Sequence, residues 1–108
     1  MRKYYYVYFV ASINRVLYVG YTDCLIKRIN QHKKGFYDNA FSKKYQTNRL
    51  VYWEPYYTKE EALNREKQIK KWSRKKKVVL IDKHNYEWRD IYGDVVEIGK
   101  TRLLRSLK

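Results

Sequence analysis

A chain of 108 residues with 25 Lys+Arg against 11 Asp+Glu carries a formal charge of +14, and 13 of its residues are tyrosine. The length fits one domain and excludes two, since domains run about 100 to 150 residues. Leu, Ile, Val and Phe fill 27 of the 108 positions, a quarter of the chain and above the roughly 20% below which a charged sequence fails to build a core. The composition therefore excludes a disordered chain and leaves a folded domain with a modest core.

So large a positive surplus costs self-repulsion and calls for an anionic partner, nucleic acid first and an anionic membrane surface second. No run approaches the 18 or so apolar residues of a spanning helix. Arg2 and Lys3 before an apolar stretch, with Ala11 and Ser12 behind it, imitate a signal peptide. The imitation is poor, because Tyr4, Tyr5, Tyr6 and Tyr8 interrupt the stretch and cleavage after it would delete a structural element. The reading is a mature intracellular chain, cytoplasmic, in which the lone Cys24 is a reduced packing residue with no disulfide-linked partner.

In chain order, residues 4–11 and 16–22 are β-branched or aromatic almost throughout, and the polar link Ser12 to Arg15 joins them as a hairpin. Pairing centred on Ile13 predicts Tyr8 opposite Tyr18, two phenols on one sheet face. Thr22 or Asp23 offers a cap for a helix that carries Leu25 and Ile29 and runs to about Lys33, with Arg28 and His32 four apart beside its stripe. Residues 34–47 have no clear period and read as a mobile basic loop. A third strand is predicted over residues 49–57. Thr58-Lys59-Glu60-Glu61 then has the form of a capping box opening a helix that buries Ala62, Leu63 and Ile69. Glu66 falls on that apolar stripe. Ser73 can cap a further helix through residues 78–81, although that apolar run alone could equally be a strand. Asn85 follows it. From Ile91 the pattern weakens, so residues 1–90 form the expected domain and residues 91–108 a basic C-terminal tail.

One Cys and two His, at 24, 32 and 84, make no four-ligand zinc pattern, and neither a P-loop nor a dinucleotide fingerprint is present. The remaining polar residues suit phosphodiester hydrolysis, which needs an activated water and electrophiles for the charge gathering on phosphorus and the leaving oxygen. A single carboxylate such as Glu66 can hold one divalent ion, usually Mg2+, which keeps several waters. Arg28 can fork onto phosphate oxygens. A phenol or His32 can take the proton, provided a neighbouring cation lowers a tyrosine pKa from its usual value near 10. Each of these residues also has an ordinary structural role open to it: packing for the tyrosines, an ion pair for Glu66, a satisfied surface position for His32.

The order of these motifs resembles the GIY-YIG nuclease superfamily, in particular small standalone members similar to the N-terminal nuclease domain of the excinuclease C protein. The first triplet stands here as Tyr6-Val7-Tyr8 and the second as Tyr18-Val19-Gly20, followed by Arg28 and by His32 where the family carries Tyr or His. Residues 49–54 and 62–72 look like the third strand and metal-binding helix, with Glu66 in the position of the metal-ligating Glu, and Asn85, Trp88 and Asp90 match the closing motif. The resemblance covers about residues 4–90. It implies an α/β (α+β) fold, a small three-stranded antiparallel sheet flanked by three or more helices. It also implies a catalytic set of Tyr8, Tyr18, Arg28, His32, Glu66 and Asn85. In that set Glu66 binds one divalent metal ion, Mg2+ or Mn2+, Tyr8 activates or positions water, and Tyr18 and Arg28 hold the phosphate. His32 assists proton transfer and Asn85 supports the site. Tyr6 replaces the Gly of the first triplet, and Tyr21 replaces a Lys that some relatives carry after the second, a part that His32 or Lys27 can take over.

Between Arg65 and Lys77 stand eight basic residues and one acid, Glu66. With Arg28, the cations Lys67, Lys70, Lys71, Arg74, Lys75, Lys76 and Lys77 make a nucleic-acid-binding ridge, giving affinity without sequence readout. The expected activity is a metal-dependent DNA endonuclease with little sequence preference, choosing its target by nucleic-acid structure in repair or recombination. A noncatalytic nucleic-acid-binding module on the same scaffold is the alternative, and a basic protein attached to an anionic protein or membrane a third reading.

Overall fold

A computed structural model describes residues 3–35 and 40–106. Strands β1 (Tyr5–Ala11), β2 (Leu17–Thr22) and β3 (Arg49–Tyr56) and helices α1 (Leu25–Lys34), α2 (Ala40–Tyr45), α3 (Lys59–Lys70), α4 (Arg74–His84) and α5 (Tyr92–Ser106) follow one another in the order β1-β2-α1-α2-β3-α3-α4-α5. The three strands form one antiparallel sheet in the order β2-β1-β3, the α+β architecture expected.

The central strand explains the partition of the core. Val7, Tyr8, Phe9, Val10 and Ala11 are all buried, because a strand with neighbours on both sides and helices on both faces has no solvent side. Val7, Phe9 and Ala11 join Val19, Val51, Ala62, Ile69, Ile81 and Trp88 in one cluster beneath α3 and α4. Tyr8 and Val10 join Leu25, Ile29, Leu50 and Val95 in a second cluster beneath α1 and α5. Each fully buried aliphatic side chain contributes about 1.5–3 kcal/mol, so the two half-cores hold the thin sheet between them.

The hairpin register differs from the one predicted. Tyr8 pairs with Gly20 and Val10 with Tyr18, a shift of two residues that leaves both phenols on one face. The cause is the turn: Ser12 N–H donates to Val16 O at 3.0 Å, Arg15 N–H donates to Ser12 O at 2.9 Å, and Arg15 adopts φ 63°. A turn closed by a left-handed residue is the usual three-residue hairpin loop, and it centres the pairing on Asn14. Asn85 N–H donates to Ile81 O at 2.7 Å, closing α4 as a helix through the apolar run that could have been a strand. A bulge between Phe9/Val10 and β3 sets Phe9 against Tyr52 and Val10 against Leu50, leaving Val51 over.

Further differences lie in the connections. Within the expected basic loop, residues 40–45 form α2, while residues 36–39 of that prediction lie outside the described residues. Thr22 does not cap α1; the N-cap is Cys24, which is exposed rather than packed. Thr22 Oγ1 instead accepts from Cys24 N–H at 3.1 Å. The caps of the later helices are as predicted, Thr58 Oγ1 accepting from Glu61 N–H and Ser73 Oγ from Lys76 N–H, both at 3.2 Å. The expected tail is the helix α5, whose start is built into the fold: Ile91 N–H donates to Leu50 O at 2.8 Å, Val95 is buried, and Asp90 accepts from Leu50 N–H, Tyr92 N–H and the Lys33 ammonium. Residues 107–108 lie outside the described residues.

One polar network fastens α3 to the sheet. Glu54, buried on β3, accepts hydrogen bonds from Tyr52 and Tyr56 at 2.6 Å each and from Arg65 Nε and Nη2 at 2.9 and 3.1 Å. Burial alone would raise the Glu54 pKa, but the donors outweigh it and hold the carboxyl below its ordinary value. Burial and then the carboxylate push Tyr56 up to about 12. Removing the acceptor leaves a guanidinium and two phenols unpaired at a packed interface, and breaking such a pair costs about 3–5 kcal/mol. Glu54→Ala is expected to lower stability by about 3 kcal/mol in urea titration, whereas Glu61→Ala, on an exposed cap, costs about 1 kcal/mol or less; equal losses would show that the network does not anchor α3.

Candidate active site

The site begins with a glycine. A Cβ on Gly20 would stand 2.5 Å from Tyr8 Cζ, inside any van der Waals contact. The bare backbone of Gly20 therefore lets the Tyr8 ring lie across β2. From there the phenol reaches α1, where Tyr8 OH and His32 Nε2 are 3.0 Å apart. Tyr18, on β2, closes the group, its ring 6.4 Å from Tyr8 and 5.5 Å from His32 by centroid. His32 is placed by helical spacing, one turn beyond Arg28 and beside Ile29, which is fully buried against the sheet.

Burial, and after it the Arg28 cation, lowers the His32 pKa to about 4. A neutral imidazole carries one N–H and one lone pair, and its Nε2 shares a hydrogen bond with the Tyr8 hydroxyl in the role its tautomer sets. Tyr8 has no exposed surface, so Tyr18, half-buried on the edge strand, is the phenol that solvent reaches. Arg28 Nη1 donates to Tyr21 O at 3.4 Å, which places the guanidinium at the open edge of β2.

The structure brings together Tyr8, Tyr18 and His32, with Arg28 beside them. Glu66 and Asn85 stand elsewhere. Glu66 lies on the α3 stripe between Ala62 and Ile69, which packs on the opposite face of the sheet. That face also carries Tyr21, stacked on Tyr5 at 6.4 Å in the position of the replaced Lys. The Glu66 side chain is 17% exposed and pairs with Lys70 at 3.6 Å, a contact longer than a hydrogen bond. Its oxygens therefore keep lone pairs for a cation, and the residue fits a metal held by one carboxylate and several waters. Among the described residues no group of three His, Cys, Asp or Glu gathers into a closed cage. Asn85 is fully engaged, Nδ2 donating to Val51 O and Arg89 O at 3.0 and 2.8 Å and Oδ1 accepting from Arg89 N–H at 3.0 Å. It clamps the loop after α4 to the β3 bulge.

Along the predicted ridge Lys67, Lys70, Lys71, Arg74, Lys75 and Lys76 are exposed and Lys77 half-buried. Trp72 sits between two of its cations, the Arg65 guanidinium at 5.0 Å and Lys76 Nζ at 4.4 Å. Two residues that sequence reasoning passes over are Glu54 and Arg15. The first has a signal, an acid alternating with tyrosines in Tyr52-Trp53-Glu54-Pro55-Tyr56; the second, a left-handed arginine, has none.

The depressed His32 value has a definite sign. An unfolded histidine titrates near 6.5, so between about pH 6.5 and 4 the unfolded chain binds more protons and the folded state loses ground. The His32 contribution is complete above about pH 6.5 and falls as pH drops through that window. The urea midpoint is expected to fall from pH 7 to pH 5 in the wild type and to fall less in His32→Gln; parallel profiles would show that burial does not hold the imidazole neutral.

The GIY-YIG catalytic domain model matches residues 4–78. A UPF0213 protein of Staphylococcus saprophyticus is 42% identical over 76 residues, covering 70% of this chain and 92% of that protein. A UPF0213 protein of Staphylococcus aureus strain Mu3 is 40% identical with the same coverage. The solution NMR structure of a UPF0213 protein from Bacillus halodurans superposes with a TM-score of 0.51 at 28% identity, covering 81% of this chain and 92% of that one. No helix among the described residues is long and apolar enough to cross a membrane. With the two triplets on paired strands and the arginine and histidine on the helix that follows, the chain belongs to the GIY-YIG nuclease domain family, alongside the small UPF0213 proteins.

Proposed function

We propose that this protein is a divalent-metal-dependent endonuclease that hydrolyses phosphodiester bonds in DNA with little sequence preference. The observation that carries the reading is the Tyr8–His32 hydrogen bond beneath Tyr18, with Arg28 at the same strand edge. A phosphodiester laid along the edge of β2 meets Arg28, whose guanidinium forks onto phosphate oxygens, and Tyr18, whose hydroxyl holds the attacking water. Tyr8 and His32 stand behind Tyr18 as a buried donor–acceptor pair that keeps the phenols oriented and takes up a proton at His32 Nε2. That order exchanges the parts the resemblance gives the two tyrosines, because Tyr8 is wholly buried.

Glu66 is the residue to hold the metal, Mg2+ or Mn2+, and a bound ion supplies Lewis-acid stabilisation of the charge that grows on the leaving oxygen. The α3 stripe that carries it packs on the other face of the sheet from the phenols, so this reading needs the substrate to pass around the exposed edge of β2. Asn85 acts by positioning β3. The ridge of Lys67, Lys70, Lys71, Arg74, Lys75, Lys76 and Lys77 supplies unspecific affinity, and DNA structure rather than sequence selects the target, as in repair or recombination. Tyr21 in place of the activating Lys favours a second reading, a binding module without efficient chemistry.

Supercoiled, branched and single-stranded DNA incubated with Mg2+ or Mn2+ separates the two. Wild type is expected to nick at least about 100-fold faster than Glu66→Ala, and Tyr18→Phe to lose a similar factor, with DNA binding retained in both. Equal residual nicking by wild type and Glu66→Ala on every substrate would sink the catalytic reading and leave the binding module.

A further inference from the structure

A cleft of about 310 Å³ opens between the β1–β2 turn and the start of α4, lined by Asn14, Arg15, Val16, Leu17, Arg74 and Lys77. Three of these six are cations and none is an acid. Among the described residues none of the three cations pairs with a carboxylate, although Lys3, Lys33, Arg65, Lys70 and Arg89 each do. We infer that this cleft seats a backbone phosphate of the nucleic acid, flanking the one held at Arg28.

The cleft is built rather than accidental. Arg74 Nη2 donates to Arg15 O at 2.8 Å, which ties α4 to the turn and fixes the left-handed Arg15 backbone. The Arg15 guanidinium lies over the Trp88 ring at 4.8 Å. A guanidinium held over an aromatic ring keeps N–H donors for phosphate oxygens. Trp88 is itself fixed, its Nε1 donating to Asp82 at 2.7 Å. Two arginines are thus held before any ligand arrives, so little side-chain freedom is lost on binding.

Placement gives the cleft its partner. Leu17 opens β2 and lines the cleft, while Tyr21 near the far end of the same strand receives Arg28. Four residues of strand span about 13 Å, a separation that two phosphates of one nucleic-acid backbone can bridge. A sugar–phosphate backbone following the exposed edge of β2 would have one phosphate at Arg28 and another at Arg15, Arg74 and Lys77. The inference takes from the nuclease reading that the polyanion is nucleic acid and that Arg28 holds one of its phosphates.

Fluorescence anisotropy with a labelled 20-base-pair DNA duplex, in EDTA so that nothing is cut, provides the test, with the matching RNA duplex as a second arm. The triple variant Arg15→Asn, Arg74→Gln, Lys77→Gln is compared with a control of equal charge, Lys43→Gln, Lys59→Gln, Lys83→Gln, at exposed lysines outside the cleft. Asn is chosen at position 15 because it tolerates positive φ. The cleft triple is expected to weaken DNA binding at least 10-fold and to lower the slope of log K on log salt by about 2, while the control shifts affinity less than 3-fold and the slope by less than 1. Circular dichroism melts confirm that both remain folded, and Arg15→Asn alone, which leaves Arg74 on the turn, is expected to weaken binding at least 2-fold.

Equal losses in the two triples, an unchanged Arg15→Asn variant, or a wild type that binds neither duplex would overturn the inference. Preference for one duplex identifies the backbone recognised and supports it. Glu66→Ala, read for nicking of supercoiled DNA with Mg2+ or Mn2+, keeps the two readings apart. Loss of cleavage contrast with intact cleft contrast rejects the nuclease reading alone, and the reverse rejects the cleft alone.

Discussion

The candidate site depends on one missing side chain. Any residue larger than glycine at position 20 would put its Cβ 2.4–2.9 Å from the Tyr8 hydroxyl and ring, and the ring would have to shift. With the ring displaced, Tyr8 loses its hydrogen bond to His32, His32 loses the contact that accompanies its burial, and Tyr18 loses the ring it leans on. The glycine that closes the second triplet is thus a steric requirement for the tyrosine that closes the first. It is not a matter of backbone freedom, because Gly20 lies within β2 with no positive φ.

The two faces of the sheet use tyrosine in different ways. Under α1, Tyr8 and Tyr18 meet a histidine held neutral by burial, an arrangement suited to moving a proton. Under α3, Tyr52 and Tyr56 meet a carboxylate held ionised by Arg65, and their own acidity is suppressed. The first pairing joins a phenol to a neutral imidazole; the second ends in a saturated ion pair. Since Arg65 directly precedes Glu66 on α3, its two-pronged bond to Glu54 sets the rotation of the helix that carries Glu66.

Much of this arrangement is legible in the residues. Period-two alternation in β1 and β2 assigns Tyr8 and Tyr18 to one face in either register, because the predicted and observed pairings differ by an even number of positions. Spacing of four puts Arg28 and His32 on adjacent turns, and the caps Thr58 and Ser73 mark α3 and α4 correctly. The turn is illegible because its left-handed residue is Arg15, which carries none of the Gly or Asn signals of positive φ. Nothing local marks the bulge at Val51 either, since it answers to Asn85 far along the chain. Helix α5 escapes a local reading because its anchors are long-range, with Asp90 reaching Lys33 and Ile91 reaching the start of β3. Periodicity places Glu66 on an apolar stripe but cannot say which side of the sheet that stripe covers.

The strand order has a consequence for how the chain is made. β1 is synthesised before its two partners and is the middle strand of the sheet, yet its second partner begins only at Arg49. At roughly 5–20 residues per second a ribosome needs several seconds to deliver β3, and during that time one edge of an almost wholly apolar strand has no mate. Open edges of this kind recruit other chains. The nascent segment is shielded by its own chemistry: Lys3, Arg15, Lys27, Arg28, Lys33 and Lys34 give residues 3–35 six cations against the single acid Asp23, so two unfinished copies repel each other. The charge that draws the finished protein to a polyanion also keeps its half-made copies apart.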